Sequence, residues 1–339
     1  MKKIIPVIFF SGYAYFSLSH ALPNQPLQDT AEKISNYINL ADFNKNKKSI
    51  YLINPAYTSK TLGNRVFSEI VTDESNLKMP KRVLMQQKQD VLESNSNLVK
   101  VLIPLSKVKN KTVTLLNPLL KSGQNKFTIG LPIINSISDT QISKDGSVIY
   151  IDRQGITDMV VQSFEDSARV LTVLNNINSP VEYIYTVNIP VGGQILKMPN
   201  GAIVIFDKST NLVGGFAPPW AVDAEGKKIP THYEIRGNTV VQIINHINAA
   251  IKYPVVADPW FGSNLIDRAT WAPVDSNNGF IILNVYPTYW ARYLGIVAYS
   301  GVISHPIIGG AAGVIATKKI GIAGWNELYS KNPTGILPD

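Results

Sequence analysis

Between residues 127 and 258 the sequence is a succession of short β-branched and aromatic runs, each closed within a few residues by a turn signal. Residues 127–133, 147–152, 181–189, 202–206 and 213–216 are such runs, and Asp145-Gly146 and Asn200-Gly201 are turn pairs between them. In 181–189 the residues Val181, Tyr183, Tyr185, Val187 and Ile189 alternate with others, as a half-buried strand requires. Thr231–Arg236 and Thr239–Ile244 flank Gly237-Asn238, a two-residue hairpin turn. Short strands this dense, with no long amphipathic helix among them, predict a mostly β chain with a β-sandwich-like middle module over 127–258. No repeat of fixed period is present.

The segments on either side read differently. Residues 22–126 form an N-terminal lead-in that is partly helical. Asp29 and Glu32 stand at capping-box spacing before Ile34, Tyr37, Ile38 and Ala41, and 81–93 reads as a second helix. The remainder of 49–126 is irregular, with brief apolar runs at 101–105 and 113–116. After Pro259 two strands are expected over 265–274 and 279–286, then a helix capped by Thr288, then a last short helix over 322–331. The boundary therefore falls near 259–263, with a small α+β C-terminal module over 263–339.

The first 21 residues carry a compartment signal. Lys2 and Lys3 precede a charge-free apolar run from Ile4 to Leu18, and Ser19-His20-Ala21 supplies small residues where a signal peptidase reads. The run is shorter than the roughly 18–20 apolar residues of a spanning helix. Cleavage between Ala21 and Leu22 is expected, an uncleaved anchor being the alternative, and the mature chain is expected to be secreted, extracellular or periplasmic.

Composition narrows the chemistry. With Cys 0 the chain has no disulfide, catalytic thiol or cysteinyl metal site, so it must be held by core burial. Without Lys2 and Lys3 it keeps 30 basic against 24 acidic side chains. The lysines before the middle of the chain, Lys100, Lys107, Lys109 and Lys111 among them, lack interleaved aromatic residues, so a solvated face is expected and no nucleic-acid partner.

Two segments resemble known secreted bacterial proteins. Pro218-Pro219-Trp220-Ala221-Val222-Asp223-Ala224, the Pro230-Thr231-His232-Tyr233-Glu234 strand and the Tyr253-Pro254-Val255 to Asp258-Pro259-Trp260 ending are similar to a β-rich module of exported proteins with variable C-terminal modules, some of them toxins. The tail carries Leu265-Ile266 with Arg268-Ala269-Thr270-Trp271, Val285-Tyr286-Pro287-Thr288 with Trp290-Ala291-Arg292, and Gly324-Trp325-Asn326-Glu327-Leu328. It resembles domain-of-unknown-function family 2599 of secreted bacterial proteins. The resemblance covers roughly 140–335 and implies location and modular design but no reaction.

No constellation names a catalytic chemistry. Among His232, His246 and His305 no pair has the spacing of a metal motif, and no serine stands in a Gly-x-Ser-x-Gly elbow. Asp258, Asp267, Asp275 and Glu327 are the carboxylates a glycan hydrolase could use, and Asp145, Asp207 and Asp223 read as turn aspartates rather than calcium ligands. No metal or cofactor is expected. The candidate binding residues are Arg268, Trp271, Arg292, Trp325 and Glu327, where the tail meets its family. Glu327 is the only acidic residue between Asp275 and Asp339 and so the natural partner of Arg268 or Arg292. Residues 293–317 carry no charge, and Gly301, Gly309 and Gly313 there could serve close helix packing in a membrane; buried structure broken at Pro306 is the competing reading. The leading expectation is a non-enzymatic interaction protein whose tail faces an unknown protein or envelope component. A toxin or effector that perturbs a target membrane comes second, and an envelope hydrolase third.

Overall fold

In the computed structural model the described residues are 85–88, 91–94, 98–105, 111–117, 126–132, 137–142, 146–152, 154–271, 283–291 and 310–330, with single residues at 83, 96 and 294. The leader over 1–21 and the expected helix after Asp29 lie outside them.

The chain is mostly β. It opens with β1 (Met85–Lys88), β2 (Val91–Ser94), β3 (Lys100–Pro104), β4 (Thr112–Leu116) and β5 (Lys126–Gly130), each antiparallel to the one before. It continues through β6 (Ile137–Ile142), β7 (Val148–Asp152), β8 (Thr157–Ser163), β9 (Ser167–Leu174) and β10 (Glu182–Val187). Next come β11 (Gln194–Lys197), β12 (Ile203–Phe206), β13 (Leu212–Phe216) and β14 (Trp220–Val222). The hairpin β15 (Thr231–Arg236) and β16 (Thr239–Ile244) precedes β17 (Val255–Asp258) and β18 (Trp260–Gly262). The tail holds a ribbon, β19 (Ile266–Trp271) with β20 (Leu283–Pro287), and helix α1 (Gly310–Ser330).

Among the described residues these strands make an eight-stranded sheet, in the order β1-β2-β3-β4-β5-β10-β16-β15, and a ten-stranded one. The second runs β11-β12-β13-β18-β9-β8-β7-β6, with β17 also on β9 and β14 on β17. Alternation decides which face is which. In β10 the side chains of Tyr183, Tyr185 and Val187 are buried while Glu182, Ile184 and Thr186 are exposed. The inward residues meet Val148, Tyr150, Met159, Val161, Val170 and Phe261 of the opposing sheet in one apolar core. Phe216 lies at its centre, with the rings of Phe127, Tyr185, Tyr233 and Phe261 at centroid distances of 5.9–6.3 Å. Burying each such side chain contributes about 1.5–3 kcal/mol. The β15–β16 turn falls on Gly237-Asn238 as the sequence predicts, with Gly237 at φ 60°, a conformation that costs glycine no steric penalty.

The N-terminal boundary differs from the sequence expectation. Residues 81–93 are not a helix in their described part: β1 and β2 pair there as a hairpin. Met, Gln, Lys and Leu favour helix in isolation, but Leu92 and Ser94 face inward at period two, and β3 supplies hydrogen-bond partners along β2. The apolar runs at 101–105 and 113–116, expected to be irregular, are the inner strands β3 and β4. The expected start at residue 127 thus falls inside β5, which pairs with β4 over its full length.

The boundary near 259–263 also moves. Val256 to Val173 and Phe261 to Ala168 are paired positions on one strand, so the ten-stranded sheet crosses Pro259 and ends at Gly262. Residues Val255 to Ile266 are buried, and a protease would find no exposed link there. The tail beyond Gly262 packs on the outer face of this sheet as a third layer. Met198, Val204, Phe206, Leu212 and Trp260 from the sheet share a core with Leu265, Ile266, Trp290, Leu294, Ala323 and Leu328. Beside it, Ile149, Val160, Leu171, Val173 and Val256 form a second outer patch, with Trp220 against it. Every residue of strand β9 is buried.

Helix α1 is longer than the expected 322–331. It takes in Gly313, Gly321 and Gly324, each costing roughly 1 kcal/mol against alanine in a helix. Packing of Ala323 and Leu328 into the outer core offsets that cost. Among the described residues no helix is long and apolar enough to cross a membrane.

Candidate functional site

The tail is mounted on the sandwich by a small set of polar contacts around one tryptophan. Trp290 is fully buried with its ring against Gly262, where a Cβ would stand 2.6 Å from the indole. Only glycine permits that approach. Thr288 caps the helical turn beginning at Tyr289: its Oγ1 accepts the Ala291 N–H at 3.0 Å, as the sequence predicts. Asp166, in the β8–β9 turn, accepts the N–H groups of Tyr289 at 2.6 Å and Trp290 at 3.4 Å, so a second residue serves the same helix start. The Ser167 hydroxyl donates to Asp166 at 2.7 Å and accepts from the Trp260 indole at 2.9 Å. Burial pushes the Asp166 carboxyl above the ordinary carboxylate range, and these donors pull it part of the way back.

Glu327 completes the mount. Its carboxylate accepts the N–H of Leu265 at 2.7 Å and of Ile266 at 3.0 Å, so α1 grips the start of β19 through the backbone. The sequence points to an arginine partner for this residue; its two main-chain donors, both in the tail, add to that reading.

Arg268 stands outward on β19. Its side chain is 60 % exposed, pairs with Asp267 at 3.1 Å, and lies with its guanidinium 4.0 Å from the centroid of the Tyr286 ring directly opposite on β20. A bulge in β19 falls at Asp267, before Arg268, and the ladder from Arg268 to Trp271 is regular. Trp271 lies at the end of β19 and Trp325 within α1, both as backbone positions. Arg292, Gly301 and Gly309 lie outside the described residues, and Gly313 is in the first turn of α1. On α1, Ile315 and Ile322 are 49 % and 42 % exposed, two helical turns apart on one side.

The other titratable groups hold turns and loops. Asp152 accepts from Gln154, Ile156 and Thr157; Asp207 from Ser209 and Asn211; Asp223 from Glu225 and Lys227, all backbone N–H groups of their own turns. Asp207 and Asp223 are thus turn aspartates, while Asp145, Asp275 and His305 lie outside the described residues. Asp258 is buried and accepts the Trp220 N–H at 3.3 Å. His246 is buried between Tyr253, whose hydroxyl meets Nδ1 at 2.9 Å, and the Pro180 carbonyl, which accepts from Nε2 at 3.3 Å. Burial lowers its pKa. On the exposed face of the eight-stranded sheet Arg236 bridges Glu182 and Glu234, and His232 lies 3.7 Å from Glu234. Among the described residues no three His, Asp or Glu side chains are grouped to hold a metal.

Two residues central to this geometry, Asp166 and Tyr286, escape the sequence reading as site residues. Asp166 is 123 positions from the N–H it accepts, which leaves no local pattern to find. Tyr286 could have been found from strand register, since it is directly opposite Arg268. No protein-family model matches the sequence, and no curated protein matches it either.

Proposed function

We propose that this chain is a secreted, non-enzymatic interaction protein that acts at or outside the cell envelope, with its C-terminal module as the partner-facing part. The Arg268–Tyr286 pair carries the reading: a guanidinium stacked on an aromatic ring, exposed, on a two-stranded ribbon anchored to a β-sandwich. Arginine and tyrosine are the side chains enriched where partners bind, and a rigid mount lowers the ordering cost of binding. The basic, apolar and small-residue order of Lys2 to Ala21 supports export, and the resemblance of the tail to family 2599 belongs to the same reading. A second reading, a toxin or effector that perturbs a target membrane, is favoured by Ile315 and Ile322 exposed together on α1.

Export and partner are tested together in producing cells. Mass spectrometry of the exported chain is expected to find Leu22 at its N-terminus; intact Met1 on the mature protein refutes cleavage. A photo-crosslinking residue at position 268 should give a discrete adduct in the envelope or medium fraction. The same residue at Val191, exposed at a sandwich turn, should give none. Identical adducts from both positions, or none from 268, would refute a partner on the ribbon. Leakage of liposomes by the full chain, abolished by Ile315→Asn with Ile322→Asn, would favour the second reading instead.

A further inference from the structure

The loops at the end of the sandwich remote from Asp166 carry a surface that the ribbon does not explain. The loop after β9 and the loop after β16 lie side by side, joined by the His246 Nε2 bond to the Pro180 carbonyl and by Ile244 N–H to Val181. Each is fixed internally. Asn176 Oδ1 accepts the Asn178 N–H at 2.9 Å, Ser179 donates to the Ile156 carbonyl at 2.7 Å, and Asn248 Oδ1 accepts the Ala250 N–H at 2.9 Å. From these fixed loops Ile177 and Ile247 project into solvent, 48 % and 62 % exposed. A fixed loop does not present a branched aliphatic side chain to water by slack, and the burial it forgoes is worth having elsewhere.

The charged groups beside them are mostly cations. Lys252 is exposed at the foot of the second loop, and its carbonyl accepts from Ala224 of the neighbouring turn. That turn exposes Lys227 and Lys228, with Glu225 as its exposed acid; Asp223 is buried with its carboxylate on backbone N–H groups, and Asp158 holds Asn175. Aliphatic tips with a lysine fringe suit a lipid surface better than a protein. Lysine is depleted and aromatic residues and arginine are enriched in protein interfaces, whereas anionic headgroups attract lysine at about 1 kcal/mol each. The geometry points to a membrane-docking end of the sandwich: Ile177 and Ile247 enter the headgroup–acyl boundary of an anionic bilayer while Lys227, Lys228 and Lys252 meet its phosphates. This surface is independent of the Arg268 ribbon, so neither proposal falls with the other.

The test is co-sedimentation of the full chain with vesicles of phosphatidylcholine containing about 30 % phosphatidylglycerol, against pure phosphatidylcholine. Binding to the anionic vesicles is expected, weakening with salt as screened charges must. Ile177→Asn with Ile247→Asn should reduce it about tenfold, and Lys227→Glu with Lys252→Glu by a similar factor. Val191→Asn, at the opposite end, and Ile315→Asn with Ile322→Asn, on α1, should leave it unchanged. Because the chain has no cysteine of its own, Ile177→Cys carrying an environment-sensitive dye reads insertion directly, as a blue shift on vesicle addition. The proposal is overturned if the chain ignores anionic vesicles, if only the α1 pair abolishes binding, or if the dye sees no change while the protein sediments. Unchanged thermal melting of the loop variants excludes unfolding as the cause.

Discussion

Inward from the ten-stranded sheet, contact with the other sheet is mainly apolar side chain against side chain, and Phe216 alone meets four aromatic rings. Outward, the tail adds to its shared apolar core the Asp166 carboxylate on the Tyr289 and Trp290 N–H groups, and Glu327 ties α1 to β19 within the tail itself. The inward contact spreads its energy over many interchangeable apolar positions. The outward one concentrates it in groups whose loss leaves buried donors without partners. The difference predicts different ways to fail.

The largest effect is expected from Phe216→Ala, which should cost about 3–5 kcal/mol and lower the melting of the whole chain as one transition. A melt in which the sandwich holds while the tail unfolds would break the comparison. Asp166→Ala should cost roughly 2–3 kcal/mol by stranding the Tyr289 and Trp290 N–H groups, and Glu327→Ala a similar amount at Leu265 and Ile266. In both, proteolysis should attack the tail first while far-ultraviolet dichroism keeps its β signal. Gly262→Ala should cost about 1–3 kcal/mol, because the new methyl group displaces the Trp290 ring.

Asp166 also gives the comparison a pH dependence. Its carboxyl is raised above the ordinary 3.8, so the folded chain holds the proton more tightly than the unfolded one. Its proton-linked contribution is complete below that ordinary value and is lost as pH rises through the folded value. Stability of the native chain relative to Asp166→Asn should therefore fall over that window on denaturant titration. A difference that stays flat with pH would show the carboxyl unperturbed. The smallest effect belongs to Arg236→Ala, whose bridges to Glu182 and Glu234 are exposed: no shift in melting beyond experimental scatter is expected.

The inward architecture is largely legible in the sequence. Tyr183, Tyr185 and Val187 announce their strand by alternation, and Gly237-Asn238 announces its hairpin. Strands β1 and β2 are not legible, because four residues are too few for a period to outweigh the helix preference of their side chains, whereas the Val, Ile and Thr of β3 and β4 carry a strand signal within an otherwise irregular stretch. Of the outward layer, the Thr288 cap can be read because a cap is local. The Asp166 and Glu327 contacts cannot, since a carboxylate on a distant main-chain N–H imposes no residue type on its partner. Arg268 stands out in the sequence as a tail residue and is exposed in the fold, but its aromatic neighbour Tyr286 is visible only through the strand pairing.

The cover that the tail lays over β12, β13 and β18 bears on how this chain can be shortened. A version ending at Gly262 would keep every strand of both large sheets, yet it would lay bare Met198, Val204, Phe206, Leu212 and Trp260 on one side. Such a fragment trades intramolecular cover for whatever apolar surface it meets first, so self-association would limit its yield before thermal stability did. The tail is in that sense the sandwich's own solubilising partner, carried on the same polypeptide.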